Sequence, residues 1–238
     1  MNKNLLFCVI CLGVLVSCGP KKTSVAELRA QKYCQDSISL VQQKRSLVYY
    51  DSLLQVTMPI VDPMLKNFRY EKDERFEDHG HYVHRLLKTE SNMNRNYVQT
   101  YVGDDRKTIV RINYFGPYKL NLSSVRLSAD SLMVSFSGDT YSFADDGWHE
   151  MLTLSGEDAI DFLQFVNAYY GSRIQVMLQG AKSKQVFYLS ENDKKALMDT
   201  YALGVAMNDI YQLETQIRKT SLQIEKYEKR LEKHSQTK

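Results

Sequence analysis

Two carboxylates and a tryptophan stand together in the run Asp145-Asp146-Gly147-Trp148, and they are the residues best suited by type to bind a ligand. An exposed indole ring can stack on a pyranose ring while neighbouring carboxylates accept hydrogen bonds from its hydroxyls. The alternative is a tight Asp-Gly turn between two strands, with Trp148 in the core. Asp145, Asp146 and Trp148 are therefore candidate binding residues for a sugar. Four tyrosines could extend such an aromatic platform: Tyr97, Tyr101, Tyr114 and Tyr141.

Two histidine-containing segments contain parts of known metal motifs. The segment from His149 begins like the zinc-protease motif HExxH, but Thr153 stands where the second histidine is required. His79 and His81 would lie on one face of a strand with two acids just before them, yet no third ligand follows at a fixed spacing. The alternative is a solvated edge strand. We therefore predict no metal, no cofactor and no catalytic site.

The N-terminal segment carries the features of an export signal. Lys3 precedes an almost unbroken apolar run, Leu5 to Val16, which is too short to span a bilayer. The run ends in Leu15-Val16-Ser17-Cys18, which resembles the lipobox of a bacterial lipoprotein. The resemblance covers only the first residues, and it implies that residues 1–17 are removed and that Cys18 carries lipid. More than one acyl chain would make a stable membrane anchor.

The residues after Cys18 form a short tether, 18–23, with glycine directly after the cysteine and two lysines further on. Glycine rather than aspartate at that position resembles lipoproteins that are sorted to the outer membrane. Surface-displayed lipoproteins of some bacteria carry acids there, so the basic tether favours the periplasmic face, with the cell surface as the alternative.

Cys34 would be the only free thiol after lipid attachment, because Cys8 and Cys11 lie in the signal. Cys34, Val41 and Val48 fall seven residues apart on one helical stripe. This spacing favours a small buried side chain at Cys34, with an intermolecular disulfide as the alternative.

Composition bounds the class of protein and its partners. Of 238 residues, 43% are hydrophobic, which is enough for a substantial core. The net charge of +3 is too weak to indicate nucleic-acid binding. After the N-terminal segment no run reaches the ~18 apolar residues of a membrane span, so we expect membrane contact through lipid alone.

Two long helices are predicted on either side of a strand-rich region. In residues 24–58, Leu40, Leu47 and Leu54 repeat every seven residues, and Pro59 is expected to end the helix before a connector over 59–79. The second helix, 191–235, carries a continuous heptad pattern. Its two rows are Leu203, Ile210, Ile217, Ile224 and Leu231, and Ala206, Leu213, Thr220 and Tyr227. We expect the two helices to pair antiparallel; the alternatives are packing on the β domain or intermolecular coils.

The region 80–190 alternates β-rich runs with turn residues, which predicts an antiparallel β-meander. Within it a helix is expected over about 156–170, capped by Ser155, and a hairpin around 180–183. Ser190 is expected to cap the last helix in the same way. The fold class is therefore α+β, with an antiparallel meander flanked by two helices.

These observations favour a lipid-anchored envelope protein without catalytic activity. The heptads predict a scaffold or accessory subunit that acts through a protein partner or through self-association. The alternative is a binding module for envelope polysaccharide or a small ligand, centred on Trp148, Asp145 and Asp146.

Overall fold

A computed structural model describes residues 24–73, 76–87 and 94–236, without the side chains of residues 73 and 76–79. The fold is α+β, as predicted. The chain divides into two compact units: Met1–Val48 with Arg218–Lys238, and Tyr49–Ile217. Cys18 and its tether lie outside the described residues. In the part that is described, no helix combines the length and apolarity that a membrane crossing requires.

The helices are α1 (Val25–Leu65), α2 (Glu157–Ala168) and α3 (Glu191–Gln236). The strands are β1 (Phe68–Asp73), β2 (Phe76–His84), β3 (Tyr97–Gly103), β4 (Thr108–Gly116), β5 (Leu122–Ala129), β6 (Leu132–Phe136), β7 (Asp139–Ala144), β8 (Trp148–Leu154), β9 (Gln175–Gly180) and β10 (Lys184–Tyr188). The helix expected near 156–170 and the hairpin around 180–183 are both present.

The two long helices pack against each other, as the heptads predict. In the helical unit the start of α1 lies against the end of α3, so the helices run antiparallel. Leu40 and Leu47 are half-buried in the contact between α1 and α3, which we call the seam. Three contacts cross it: Lys44 Nζ to Glu228 Oε1 at 2.7 Å, Arg230 Nη1 to Asp36 Oδ1 at 3.4 Å, and the edge-on rings of Tyr33 and His234 at 6.2 Å.

The predicted burial of Cys34 is wrong. Cys34 is exposed, and Val41 and Val48 are 50% and 69% exposed. Val41 follows the seam residue Leu40 by one position, and one residue turns an α-helix by about 100°. The stripe Cys34–Val41–Val48 therefore lies away from the seam.

Helix α1 does not end before Pro59, as the sequence suggested, but continues to Leu65 with Pro59 and Pro63 inside it. The expected connector over 59–79 instead holds the end of α1, all of β1 and the start of β2. An internal proline costs roughly 3 kcal/mol. Burial of Val61 in a cluster with Phe68, Val102 and Leu203 offsets part of that cost.

All strand pairs are antiparallel, but the meander is divided between two sheets. The first sheet has the order β1-β2-β3-β4-β8-β7, and the second has the order β10-β9-β5-β6. Their inner faces share one core with α2: Val110 and Ile112 come from the first sheet, Leu127 and Leu178 from the second, and Phe162 from the helix. The two sheets therefore form a sandwich around this core.

The two predicted helix caps have different outcomes. At α3, the Ser190 backbone N–H donates to Asp193 Oδ2 at 2.9 Å, and the Asp193 N–H donates to Ser190 Oγ at 3.1 Å, which confirms the capping box. At α2, the cap at Ser155 is wrong. Gly156 is the N-cap residue with φ 61°, without a side-chain capping bond. Glycine adopts this left-handed conformation readily, so it sets the start of α2.

A buried carboxylate joins the two sheets. Glu150 on β8 is 4% exposed and accepts hydrogen bonds from three consecutive backbone N–H groups. These belong to Leu120, to Asn121 at 3.0 Å and to Leu122 at 2.7 Å, where the chain enters β5. Hydrogen bonds to a charged acceptor are stronger than neutral ones, so this contact holds the start of the second sheet against the first.

We expect Glu150→Gln to lower the free energy of unfolding by about 2–4 kcal/mol, because the amide replaces one acceptor oxygen by a donor that faces N–H groups. Urea denaturation of the full chain measures the change. Asp139→Asn, an exposed acid on β7 of the same sheet, is the matched control and should stay within about 0.5 kcal/mol of the parent. Equal stability of the two variants would contradict the structural role of Glu150.

Candidate functional site

The outer face of the first sheet carries a row of aromatic rings. Side chains alternate between the two faces of a strand, so His149 on β8 points away from the core that Glu150 faces. The register places Phe143 and Phe115 on either side of His149. The Phe143 and His149 rings are stacked with centroids 4.7 Å apart and planes 6° apart, and Phe115 lies 4.8 Å from His149. Tyr141 continues the row, 6.0 Å from Phe143.

This row is open to a ligand at its β7 end. Tyr141 is 60% exposed and Phe143 is 47% exposed. Exposed aromatic rings on the edge strand of a sheet present flat apolar faces without needing to reorganise. The row therefore offers a preformed stacking surface.

A cleft of ≈ 330 Å³ adjoins the aromatic row. Phe143 and His149 form part of its wall, and Asp145 and Asp146 stand beside them. The cleft is also lined by Arg95, Tyr97 and Asn113. Stacking rings, hydroxyl-binding carboxylates, the amides of Asn94 and Asn113 and one guanidinium thus line one space, as in a site for a polyhydroxylated ligand.

The turn between β7 and β8 places the two acids. The Asp145 backbone N–H donates to the Gly147 carbonyl at 2.9 Å, and Ala144 pairs with Trp148 across the hairpin. A Cβ on Gly147 would lie 2.7 Å from the Phe115 ring, so any larger residue would have to displace that ring. On the other side of the cleft, the Phe115 N–H donates to Asn96 Oδ1 at 2.9 Å, which holds the segment bearing Arg95.

The three candidate residues of the Asp145–Trp148 run separate in the structure. Asp145 and Asp146 line the cleft, whereas Trp148 does not. Trp148 is half-buried and packs against the main core, with Lys119 Nζ 5.1 Å from its ring centroid. The indole therefore supports the sandwich rather than the cleft.

The four tyrosines proposed for a platform also separate. Tyr97 lines the cleft, and burial raises the pKa of its phenol although Arg111 and Arg95 oppose that shift. Tyr141 belongs to the aromatic row. Tyr114 also borders the cleft, but its hydroxyl donates to the Tyr118 carbonyl at 2.8 Å and its ring belongs to the core. Tyr101 instead receives a hydrogen bond from Arg111 at 3.1 Å.

The histidine segments do not converge on a metal site in the described chain. His149 and Glu150 point to opposite faces of β8, because the HExxH-like segment is a strand. His81 lies against the Tyr101 ring at 4.6 Å, with its Nε2 3.5 Å from Glu71 Oε2. The side chains of His79, Glu77 and Asp78 lie outside the described residues. Among those that are described, no group of three or more histidine, cysteine or acidic residues could hold a metal ion.

Apart from the cleft, a polar cluster that the sequence did not reveal surrounds His84, which is 3% exposed. Its Nε2 lies 3.0 Å from Asp199 Oδ2, and its Nδ1 accepts the Leu86 backbone N–H at 3.2 Å. These contacts assign the proton of a neutral ring to Nε2. His84 and Asp199 are 115 residues apart in the chain, so no local pattern could have paired them.

No protein-family model, curated protein or solved structure matches this chain.

We expect His84 to make folding stability depend on pH. Burial lowers the pKa of His84 in the fold, more than Asp199 raises it. The stability that this contributes is complete above the unfolded-state pKa of about 6.5 and is lost as the pH falls toward the folded pKa. The free energy of unfolding should therefore decrease from about pH 7.5 to about pH 5 by a larger amount in the parent than in His84→Asn. Parallel pH profiles of parent and variant, measured by urea denaturation, would contradict this assignment.

Proposed function

We propose that this protein is a non-catalytic carbohydrate-binding protein of the bacterial envelope, and that the cleft beside the aromatic row is its ligand site. One observation carries the proposal: the exposed rings of Phe143 and Tyr141 adjoin the carboxylates of Asp145 and Asp146. A sugar ring presents an apolar face to aromatic rings and hydroxyls to carboxylates, so these two kinds of group suit one ligand.

The size of the cleft supports a small binding unit. Its volume of ≈ 330 Å³ lies near the lower end of the range for small-molecule sites, about 300–1,000 Å³. We propose that it binds one or two units of a longer polysaccharide, with the chain continuing over the row toward Tyr141.

The charge around the cleft favours neutral or amino sugars. The unit Tyr49–Ile217 contains 17 basic and 23 acidic residues, a net charge of −6. Within the cleft, Asp145 and Asp146 outnumber Arg95. An acidic polysaccharide would be repelled, whereas the ammonium group of an amino sugar would be attracted.

The test is titration of the full chain with soluble neutral and amino-sugar oligosaccharides, followed by calorimetry. We expect Phe143→Ala to weaken binding roughly tenfold, about 1.4 kcal/mol, because the exposed stacking surface is lost. Asp145→Asn with Asp146→Asn should weaken binding of amino sugars more than that of neutral sugars.

The matched control is Tyr188→Ala, an aromatic on the second sheet that is 42% exposed and lies under Arg173. It should leave binding unchanged. Equal loss in Tyr188→Ala and Phe143→Ala, or no binding by the parent to any oligosaccharide in the panel, would overturn the proposed site.

We also propose that the mature chain is anchored to the outer membrane through lipid on Cys18, on the periplasmic face, with the cell surface as the alternative. The support is the lipobox-like run that ends at Cys18. In cells fed a palmitate analogue, Cys18→Ser should abolish labelling and signal removal, because both need the thiol. Cys34→Ser, the control at the other cysteine outside the signal, should keep the label. Labelled Cys18→Ser protein would contradict the anchor.

A second function, scaffold or accessory subunit, is supported by a different surface. Ile38, Val41 and Val48 on α1 are 46%, 50% and 69% exposed within the helical unit. Apolar side chains in such a row are typical of surfaces that bind protein.

A further inference from the structure

Helix α1 carries a regular row of side chains outside its seam with α3. This outer row consists of Glu27, Cys34, Ile38, Val41, Arg45 and Val48, which recur at intervals of three, four or seven residues. All six are exposed and belong to the helical unit. The intervals are those of a coiled-coil seam, so the row can meet a second helix along its length.

The seam with α3 uses the opposite face of α1. Asp36 is 5% exposed there, and Leu40 and Leu47 are half-buried. A helix that carries apolar side chains on two opposite faces is typically covered by other elements on both of those faces. Within the described chain, only the seam face is covered, by α3.

The outer row is complementary to itself. A second α1 in antiparallel orientation can be placed so that Glu27 of each copy lies opposite Arg45 of the other. The same register places Cys34 opposite Ile38. In an antiparallel pair the numbers of facing residues have a constant sum, which is 72 for both of these pairs. The two Cys34–Ile38 pairs then lie in the middle with a Glu27–Arg45 pair on either side, while Val41 lies opposite Gln31 and Val48 opposite Ser24.

The side chains that would flank the symmetry axis add no repulsion; Asp36, which is level with the axis, lies on the seam face beside Arg230 of α3. Gln35 and Ser37 flank the centre of the row, and both are uncharged. A parallel pairing would instead stack Arg45 on Arg45 and Glu27 on Glu27, which like charges disfavour. The charge pattern therefore selects the antiparallel copy.

We propose that the outer row of α1 binds a second copy of this chain, antiparallel, in a two-fold symmetric dimer. In such an interface every contact occurs twice, so a Glu27–Arg45 pair forms on both sides of the symmetry axis. The proposal rests on the second proposed function and names its partner. It is independent of the carbohydrate cleft.

Disulfide trapping in intact cells tests the contact on the full-length chain. Ile38→Cys should form a disulfide-linked dimer under mild oxidation, because Cys34 of each copy then faces a thiol of the other within the Cα separation of about 4.4–6.8 Å that a disulfide needs. The parent, with Cys34 alone, and Cys34→Ser with Ile38→Cys should both stay largely monomeric on a non-reducing gel. A dimer in both of these single-thiol chains would show a parallel pairing and overturn the proposal, as would no dimer in Ile38→Cys.

A charge swap tests the register. Arg45→Glu should weaken dimerisation at least tenfold in analytical ultracentrifugation of the detergent-solubilised chain, because the introduced carboxylate would face the carboxylate of Glu27 in the other copy. Adding Glu27→Lys should restore it. Glu27→Lys alone should weaken association as Arg45→Glu does, because it places two cations opposite each other; the double variant also lacks the capping bond to Ser24, so its recovery would show that the charges and not the cap decide association. Equal association of all three variants with the parent would overturn the register.

A further experiment distinguishes failure of the dimer from failure of the scaffold function on which the dimer proposal rests. Crosslinking and pull-down of the tagged full chain would recover only the chain itself if the dimer is correct. A different protein in near-stoichiometric amount, together with no dimer in Ile38→Cys, would overturn the dimer and retain the scaffold function. Oligosaccharide binding should be the same in Arg45→Glu as in the parent.

Discussion

The carboxylate of Glu150 is the contact on which the arrangement of the two sheets depends. It accepts three backbone N–H groups at residues 120–122, where the chain leaves the first sheet for the second. Side chains alternate between the two faces of β8. Because Glu150 is held on the inner face, its neighbours His149 and Met151 lie on the outer face. The anchor of the core and the wall of the cleft are therefore consecutive residues of one strand.

The two compact units differ in charge and in the kind of surface they present. The unit Tyr49–Ile217 is acidic, and it carries the cleft and the aromatic row. The unit Met1–Val48 with Arg218–Lys238 contains 14 basic and 5 acidic residues, a net charge of +9, and it carries the outer row. A sugar and a protein helix need different surfaces, so the two proposed activities can coexist without competing for residues.

The candidate site was only partly predictable from the sequence. Asp145-Asp146-Gly147 was recognisable because an Asp-Gly turn between two strands is a local signal. The role suggested for Trp148 depended on which face of β8 it occupies, and the structure turns it toward the core. The ring contacts of His149 with Phe143 and Phe115 require the register of three strands, two of which are separated by more than 20 residues. No local pattern encodes that register.

By itself the sequence determined the features that repeat or terminate locally: the heptad rows of α3, the antiparallel strands and the capping box at Ser190. Such features depend on residues that are close in the chain, so their periodicity or spacing is visible directly. Tertiary structure alone decided the division of the meander into two sheets, the continuation of α1 past Pro59 and the exposure of Cys34. Each of these depends on which residues that are distant in the chain come together. Val61, for example, is buried in one cluster with Leu203, and this burial outweighs the local preference of α1 to end at Pro59.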